Sequence, residues 1–236
     1  MNTVTEARLF SPTAKRGGFA RLARKYALQI AIVFVALLIW AFFLWRAPST
    51  FLAYDIYYAL MATTPYFALM AIPLTLVVIA KEIDLSFASI MAFGMAAFDV
   101  VFLLFSKTNP SLGVWLGFIA CLVAGFLAGL LNGVIVVKLG IPSLVATLGT
   151  SFFWSGMVLV ITNAQGLGLA AVAETPLYSV LVGRVGGVIP AQFVWTVVFV
   201  IVVWFLLNRT KFGAHVYLTG DNVESARLMG VNVERI

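Results

Sequence analysis

Six apolar runs of about 20 residues, divided by short polar segments, constrain this chain more than any other feature of it. A helix rises about 1.5 Å per residue, so each run can cross the roughly 30 Å of hydrocarbon in a bilayer. Lipid offers the backbone no hydrogen-bond partners, and each run must therefore close its own bonds as a helix. The runs are Tyr26 to Trp45, Ile56 to Ala80, Leu85 to Phe105, Val114 to Val137, Leu144 to Thr162 and Phe193 to Leu207. The expected fold class is all-α, a polytopic transmembrane protein with six spans. Composition agrees: 10% of the 236 residues are charged and 63% are hydrophobic, against about 25% charged in soluble proteins. A soluble globular domain is excluded.

An even number of spans puts both ends of the chain on one side. Arg8, Lys15, Arg16, Arg21, Arg24 and Lys25 precede the first span, which the positive-inside rule assigns to the cytoplasm. By alternation Lys81, Lys138, Arg209, Lys211, Arg227 and Arg235 lie on the same side, and Arg46, Lys107 and Arg184 lie opposite. The three expected regions are a cytoplasmic basic arm at 1–25, a membrane domain at 26–207 and a cytoplasmic segment at 208–236. The net charge of +6 sits in the short connecting segments, as topology signals do, so nucleic-acid binding is not expected. Trp40 to Pro48 holds no small-x-small cleavage site, and the first span reads as an uncleaved anchor rather than a signal peptide.

Within the spans, Gly113, Gly117, Cys121, Gly125, Gly129 and Gly133 recur every four residues. Small residues at that spacing cut a groove in which a second helix can approach closely. Packing is the plain reading, and lining of a narrow pathway, with Asn132 as its polar member, is the other. Pro65 and Pro73 fall inside the second span; each deletes a backbone donor, which predicts a kinked or broken helix with Thr63, Thr64 and Thr75 available to the freed carbonyls. Asp99 is the one acid within a span. A carboxylate there costs roughly 2.5–3.5 kcal/mol on insertion scales, so it should face protein or water, either in a pathway or in a structural pair. Trp154 is a further pathway candidate, with packing as its alternative. Glu82 and Asp84 read as marking a solvated turn.

The segment after the sixth span is polar. Gly220, Asp221, Asn222, Val223 and Glu224 spell a capping box of Asp-x-x-Glu form, followed by Ala226, Arg227, Met229 and Gly230. This predicts one short helix bounded at both ends. A helix so short is marginal alone in water, which suggests that it docks on a partner, on a membrane surface or simply connects. The chain has one histidine, His215, and one cysteine, Cys121, so no His-based metal centre, Ser-His catalysis or intrachain disulfide can be assembled. No Gly-x-x-x-x-Gly-Lys loop occurs. Catalytic residues, metal ligands and cofactors are not expected, and any ATP hydrolysis would belong to another subunit.

Lys81-Glu82-Ile83-Asp84-Leu85-Ser86, followed by Ser89-Ile90-Met91-Ala92, resembles the Gly-Gly-Ile-Asp-Leu-Ser motif of the permease subunits of ribose-type sugar ABC importers. Asn132-Gly133 with the run from Lys138 to Thr150 resembles the central motif of that family. Thr210 to Gly213, Gly220 to Asn222 and Ala226 to Val231 resemble its coupling-helix region. The resemblance covers about Ile56 to Ile236. It implies a monosaccharide importer whose permease pairs with a second copy or a paralogue. It implies further partners too: a periplasmic sugar-binding protein, cytoplasmic ABC ATPase subunits and the surrounding membrane lipid. The short helix would then seat in the ATPase, with Gly220, Asp221, Asn222 and Gly230 bounding it. Glu224 and Arg227 would be its polar contacts, and Val223, Ala226 and Met229 its candidate buried face. Two departures stand out: Lys81 and Glu82 replace paired glycines, and the family has about ten spans, so that this sequence matches its N-terminal part. A six-span secondary transporter or half-transporter, a non-transporting truncated permease and an intramembrane enzyme are the competing readings.

Overall fold

The structure, a computed structural model, describes residues 26–165 and 170–236; the expected basic arm at 1–25 lies outside the described residues. The chain divides into two compact units, residues 1–56 and 57–236. In the first, helix α1 (Ala27–Arg46) is followed by the single turn α2 (Pro48–Phe51). Pro48 opens that turn, where its fixed φ and missing N–H suit the first helical position. The rings of Phe43 and Phe51 stack with centroids 5.2 Å apart. Helix α1 buries none of its residues, as befits a segment apolar around its whole circumference.

The second unit takes in most of α3 (Tyr54–Ile79), then α4 (Phe87–Phe105), α5 (Pro110–Leu139) and α6 (Ser143–Thr162). A 3-10 turn (Ala170–Glu174), helix α7 (Pro176–Leu181) and a small antiparallel hairpin of β1 (Arg184–Val185) and β2 (Ile189–Pro190) come next. The chain continues through α8 (Ala191–Arg209), α9 (Lys211–Asp221), α10 (Val223–Leu228) and a last 3-10 turn (Val233–Arg235). Among the described residues six helices, α1, α3, α4, α5, α6 and α8, are long and apolar enough to cross a membrane. They fall within a few residues of the six expected runs. Helix α5 begins earlier than expected because the Asn109 side chain caps it, accepting from the Leu112 N–H at 3.1 Å, with Pro110 at its first position.

Of the expected kink or break in helix α3, the break does not occur: the helix runs continuously through Pro65 and Pro73. The nearby hydroxyls do not serve the carbonyls freed by those prolines: Thr63 Oγ1 donates to Ala59 O at 2.8 Å and Thr75 Oγ1 to Ala71 O at 2.9 Å, each its own i−4 carbonyl.

The tightest packing is between antiparallel α4 and α5. A Cβ on Gly117 would stand 3.0 Å from the Phe98 ring and carbonyl oxygen, one on Gly113 would stand 3.0 Å from Phe105 Cβ, and Gly94 faces Cys121 in the same way at 3.2 Å. Small residues here let the two backbones close on each other, which is the strongest source of helix association where hydrocarbon surrounds both. Phe98, Phe102 and Val114 form a buried cluster with Leu177, so α7 seats on this end of the pair.

Candidate functional site

The features that carry chemistry gather at the other end of the unit, around the turn from α3 to α4. Helix α3 closes with a Schellman motif: the Lys81 N–H reaches Val78 O at 3.0 Å and the Glu82 N–H reaches Val77 O at 3.1 Å. The residue at the pivot of that motif takes the left-handed conformation and is usually glycine. Here it is Lys81, with φ of +63°, at a cost of about 1 kcal/mol for a residue bearing a Cβ. The substitution of Lys for the Gly of the related motif thus leaves the turn intact.

After Lys81 the turn is held by side chains from α6 and α5 and by its own Asp84. Ser143 Oγ accepts from the Ile83 N–H at 3.1 Å and Thr147 Oγ1 from the Leu85 N–H at 3.1 Å, both from the start of α6. Asp84 is half-buried rather than solvated. One of its oxygens accepts from the Ser86 N–H at 2.7 Å and from Ser86 Oγ at 2.6 Å, a carboxylate placed at the start of α4 where the helix has unpaired donors. Asn132 reaches in from α5, its Nδ2 donating to Ser86 Oγ at 2.6 Å. Ser86 is fully buried. Each such bond contributes about 1 kcal/mol net, and leaving any one buried partner unpaired costs more.

The segment after α8 docks beside this turn. Thr210 caps α9 by accepting from the Gly213 N–H at 3.3 Å. Near the far end of α9 a Cβ on Gly220 would collide with the Ile79 carbonyl oxygen, and Lys81 Nζ donates to the Asp221 carbonyl at 2.9 Å. That carbonyl ends α9, where acceptors lack intrahelical partners and a cation is favoured.

The short helix α10 exists, with a corrected cap. Asn222, not Asp221, is its N-cap, accepting from the Ser225 N–H at 2.9 Å, while Asp221 belongs to α9. Its far end is a second Schellman motif, in which the Val231 N–H bonds Ala226 O and the Gly230 N–H bonds Arg227 O, both at 3.0 Å, around Gly230 with φ of +81°. Ala226 is fully buried within this chain, whereas Val223, Glu224, Arg227, Leu228 and Met229 are exposed. The candidate buried face is therefore split: Ala226 is spent on this chain, and Leu228, 90% exposed, joins Val223 and Met229 on the free surface. Lys138 at the end of α5 pairs with Glu234 at 3.0 Å. The Lys138 ammonium, by hydrogen bond and by charge, holds Glu234 below the usual carboxylate range, and Arg227 adds to it.

The other named residues do not assemble into one site. Asp99 is half-buried on α4 and one of its oxygens has no partner among the described residues. Trp154 is buried on α6, its ring centroid 4.4 Å from that of Phe93 and its indole N–H without a partner among those residues. Of the small-residue row, Gly117 and Cys121 pack against α4, while a Cβ on Gly125, Gly129 or Gly133 would meet nothing within 4 Å. The residues that sequence reasoning does not single out are Ser86, Ser143, Thr147, Ile79 and Glu234; of these, Ser86, Ser143 and Thr147 lie inside the motifs that carry the family resemblance.

Six helices long and apolar enough to cross a membrane, with a polar segment docked at one end of the second unit, define the class of a polytopic membrane protein. The chain belongs to the family of branched-chain amino acid transport system permease components, whose family model matches residues 56–236, and it is a multi-pass inner-membrane protein. It is 37% identical over 169 residues to the autoinducer 2 import system permease protein LsrC of Escherichia coli, covering 71% of this chain and 46% of that one. It is 33% identical over 195 residues to the protein of the same name from Salmonella typhi, covering 82% and 53%. For that from Yersinia pestis the figures are 33% over 187 residues, covering 76% and 50%. The chain thus spans about half the length of the curated relatives it matches. No solved structure matches it.

Proposed function

We propose that this chain is the membrane-spanning permease component of an ATP-driven importer for a monosaccharide-sized solute, with ATP-hydrolysing subunits docking on α10. One observation carries the reading. Helix α10 is fastened at both ends and through Ala226, yet it presents Val223, Leu228 and Met229 beside Glu224 and Arg227 to the outside. Apolar side chains ringed by charge, on a helix of six residues, make a compact knob for a protein groove. The excess of Lys and Arg on the same side as this knob supports a cytoplasmic placement for it and for both termini. A second permease copy or paralogue would cover the open row at Gly125, Gly129 and Gly133. A periplasmic binding protein would deliver the solute at the opposite face. Asp99, Asn132 and Trp154 are the pathway residues we propose. The relatives are named for autoinducer 2 import, which makes that compound the first solute to test and ribose the second.

The test is co-purification of the ATP-hydrolysing subunit encoded with this chain. Arg227→Glu with Leu228→Asp changes only exposed side chains and should cut binding at least about tenfold, while thermal stability stays unchanged. Equal binding by parent and variant would overturn the reading.

A further inference from the structure

We infer that Lys81 is the tensile link by which movement of α10 is handed to α3 and to the cleft between α3 and α4, a positioning role that rests on the proposed coupling function.

Helix α3 is tied near its start and at its end to the part of the chain beyond α7. At its start Arg184 Nε donates to Tyr58 OH at 3.1 Å, with the guanidinium 4.5 Å over the ring. One turn on, Gln192 Nε2 donates to Ala62 O at 3.3 Å. At its end stand the Gly220 backbone against Ile79 and the Lys81 ammonium on Asp221 O. Two residues further the allegiance changes. The amides of Ile83 and Leu85 and the hydroxyl of Ser86 are held by α6 and α5. Lys81 and Glu82, whose N–H still bonds Val77 O, are therefore the last residues of one body, and the turn from Ile83 is the first part of another. Between them lies a cleft of about 440 Å³ whose lining includes Tyr66, Met70, Pro73, Asp84, Phe87 and Met91. Packed interiors leave few voids larger than a water molecule, so α3 and α4 are not locked together there.

Two contacts join α9 to the end of α3, and they differ in kind. Gly220 against the Ile79 carbonyl is steric: it transmits a push and resists no pull. The bond from Lys81 Nζ to Asp221 O resists separation. With it, a displacement of α10, relayed across Asn222 into α9, moves α3 in either direction and so opens or closes the cleft. Without it, only compression is relayed at this end of α3, and the remaining ties lie at Tyr58 and Ala62 near its start. The left-handed backbone of Lys81 points to the same conclusion, since a strained residue persists where its side chain has a task that glycine would not perform.

The experiment uses the full chain in lipid nanodiscs, with Cys121→Ser, and spin labels at Phe67→Cys on α3 and Tyr217→Cys on α9. The parent should give one narrow distance distribution. Lys81→Met, which keeps the stem and removes the charge, and Lys81→Gly, which relieves the backbone, should each broaden it about twofold, and Lys81→Arg should restore it. A Lys81→Met distribution as narrow as that of the parent, or a Lys81→Gly distribution as narrow or narrower, overturns the proposal. In a second arm, labels at Leu74→Cys and Met91→Cys span the cleft in complex with the co-purified ATP-hydrolysing subunit. Addition of ATP and vanadate should shift their distance in the parent and not in Lys81→Met, while subunit binding stays equal; an equal shift in both also overturns it. If the parent retains no such subunit, the coupling function fails and the first arm alone decides the link.

Discussion

Gly220 shows how a single missing methyl group shapes this protein. As an interior helical position it would gain up to about 1 kcal/mol of helix propensity from alanine. Yet the new Cβ would strike the Ile79 carbonyl, a backbone atom with no rotamer to retreat into, and overpacking of that kind costs about 1–3 kcal/mol. The steric term wins. Gly220→Ala is expected to lower the thermal midpoint of the detergent-purified protein and to speed proteolysis within residues 208–236, because α9 must move off α3 and the Lys81 bond to Asp221 stretches with it. A midpoint equal to or above that of the parent would show that α9 does not rest on Ile79. Lys81 lies on the same contact but obeys a different rule, giving up backbone comfort for a side-chain bond.

At the scale of elements, the final turn Val233–Arg235 is held to α5 by the pair of Lys138 and Glu234. Since Glu234 titrates below its ordinary value when paired, the pair's contribution is fully present above the unfolded carboxylate range. It is lost as pH falls through the lower folded value. Amide exchange of residues 231–236, corrected for its intrinsic pH dependence, should therefore keep constant protection from pH 7 to about 5 and lose it on further acidification. Glu234→Gln should show at neutral pH the reduced protection that the parent shows in acid, and added salt should mimic it in part, as both side chains are exposed. The spans are legible in the sequence because length and apolarity alone decide them. The cap of α10 is not, because Asp221 and Asn222 are adjacent and equally able to cap, and only the course of α9 decides between them. Helix α9 itself is not among the elements expected from sequence, and its support comes from Ile79 and Lys81, over 130 residues away in sequence. The break that Pro65 and Pro73 also suggested does not occur, since the helix continues through both.

At the scale of the whole molecule, the small-residue row on α5 is one sequence pattern serving two surroundings. From Gly113 to Cys121 it is filled by α4; from Gly125 to Gly133 an added Cβ would meet nothing within 4 Å among the described residues. A four-residue period announces a groove but not where its occupant ends, so sequence could not divide the row. The division makes a paired prediction. Gly117→Val forces a branched side chain into the Phe98 ring and carbonyl and should cost about 1–3 kcal/mol, read as a lower thermal midpoint in detergent, where single chains can be measured. Gly129→Val meets open space, and valine tolerates a helix better than glycine by a few tenths of a kcal/mol, so its midpoint should equal or exceed that of the parent. In bilayers the order reverses for assembly. If a second permease copy lies on the open half of the row, Gly129→Val holds its backbone away and should weaken association at least about tenfold, measured by energy transfer between labelled copies. A Gly129→Val protein that loses stability in detergent as Gly117→Val does would mean that the open half is already filled by this chain. One that associates as tightly as the parent would move the contact between copies to another face, with the exposed circumference of α1 as the next surface to probe.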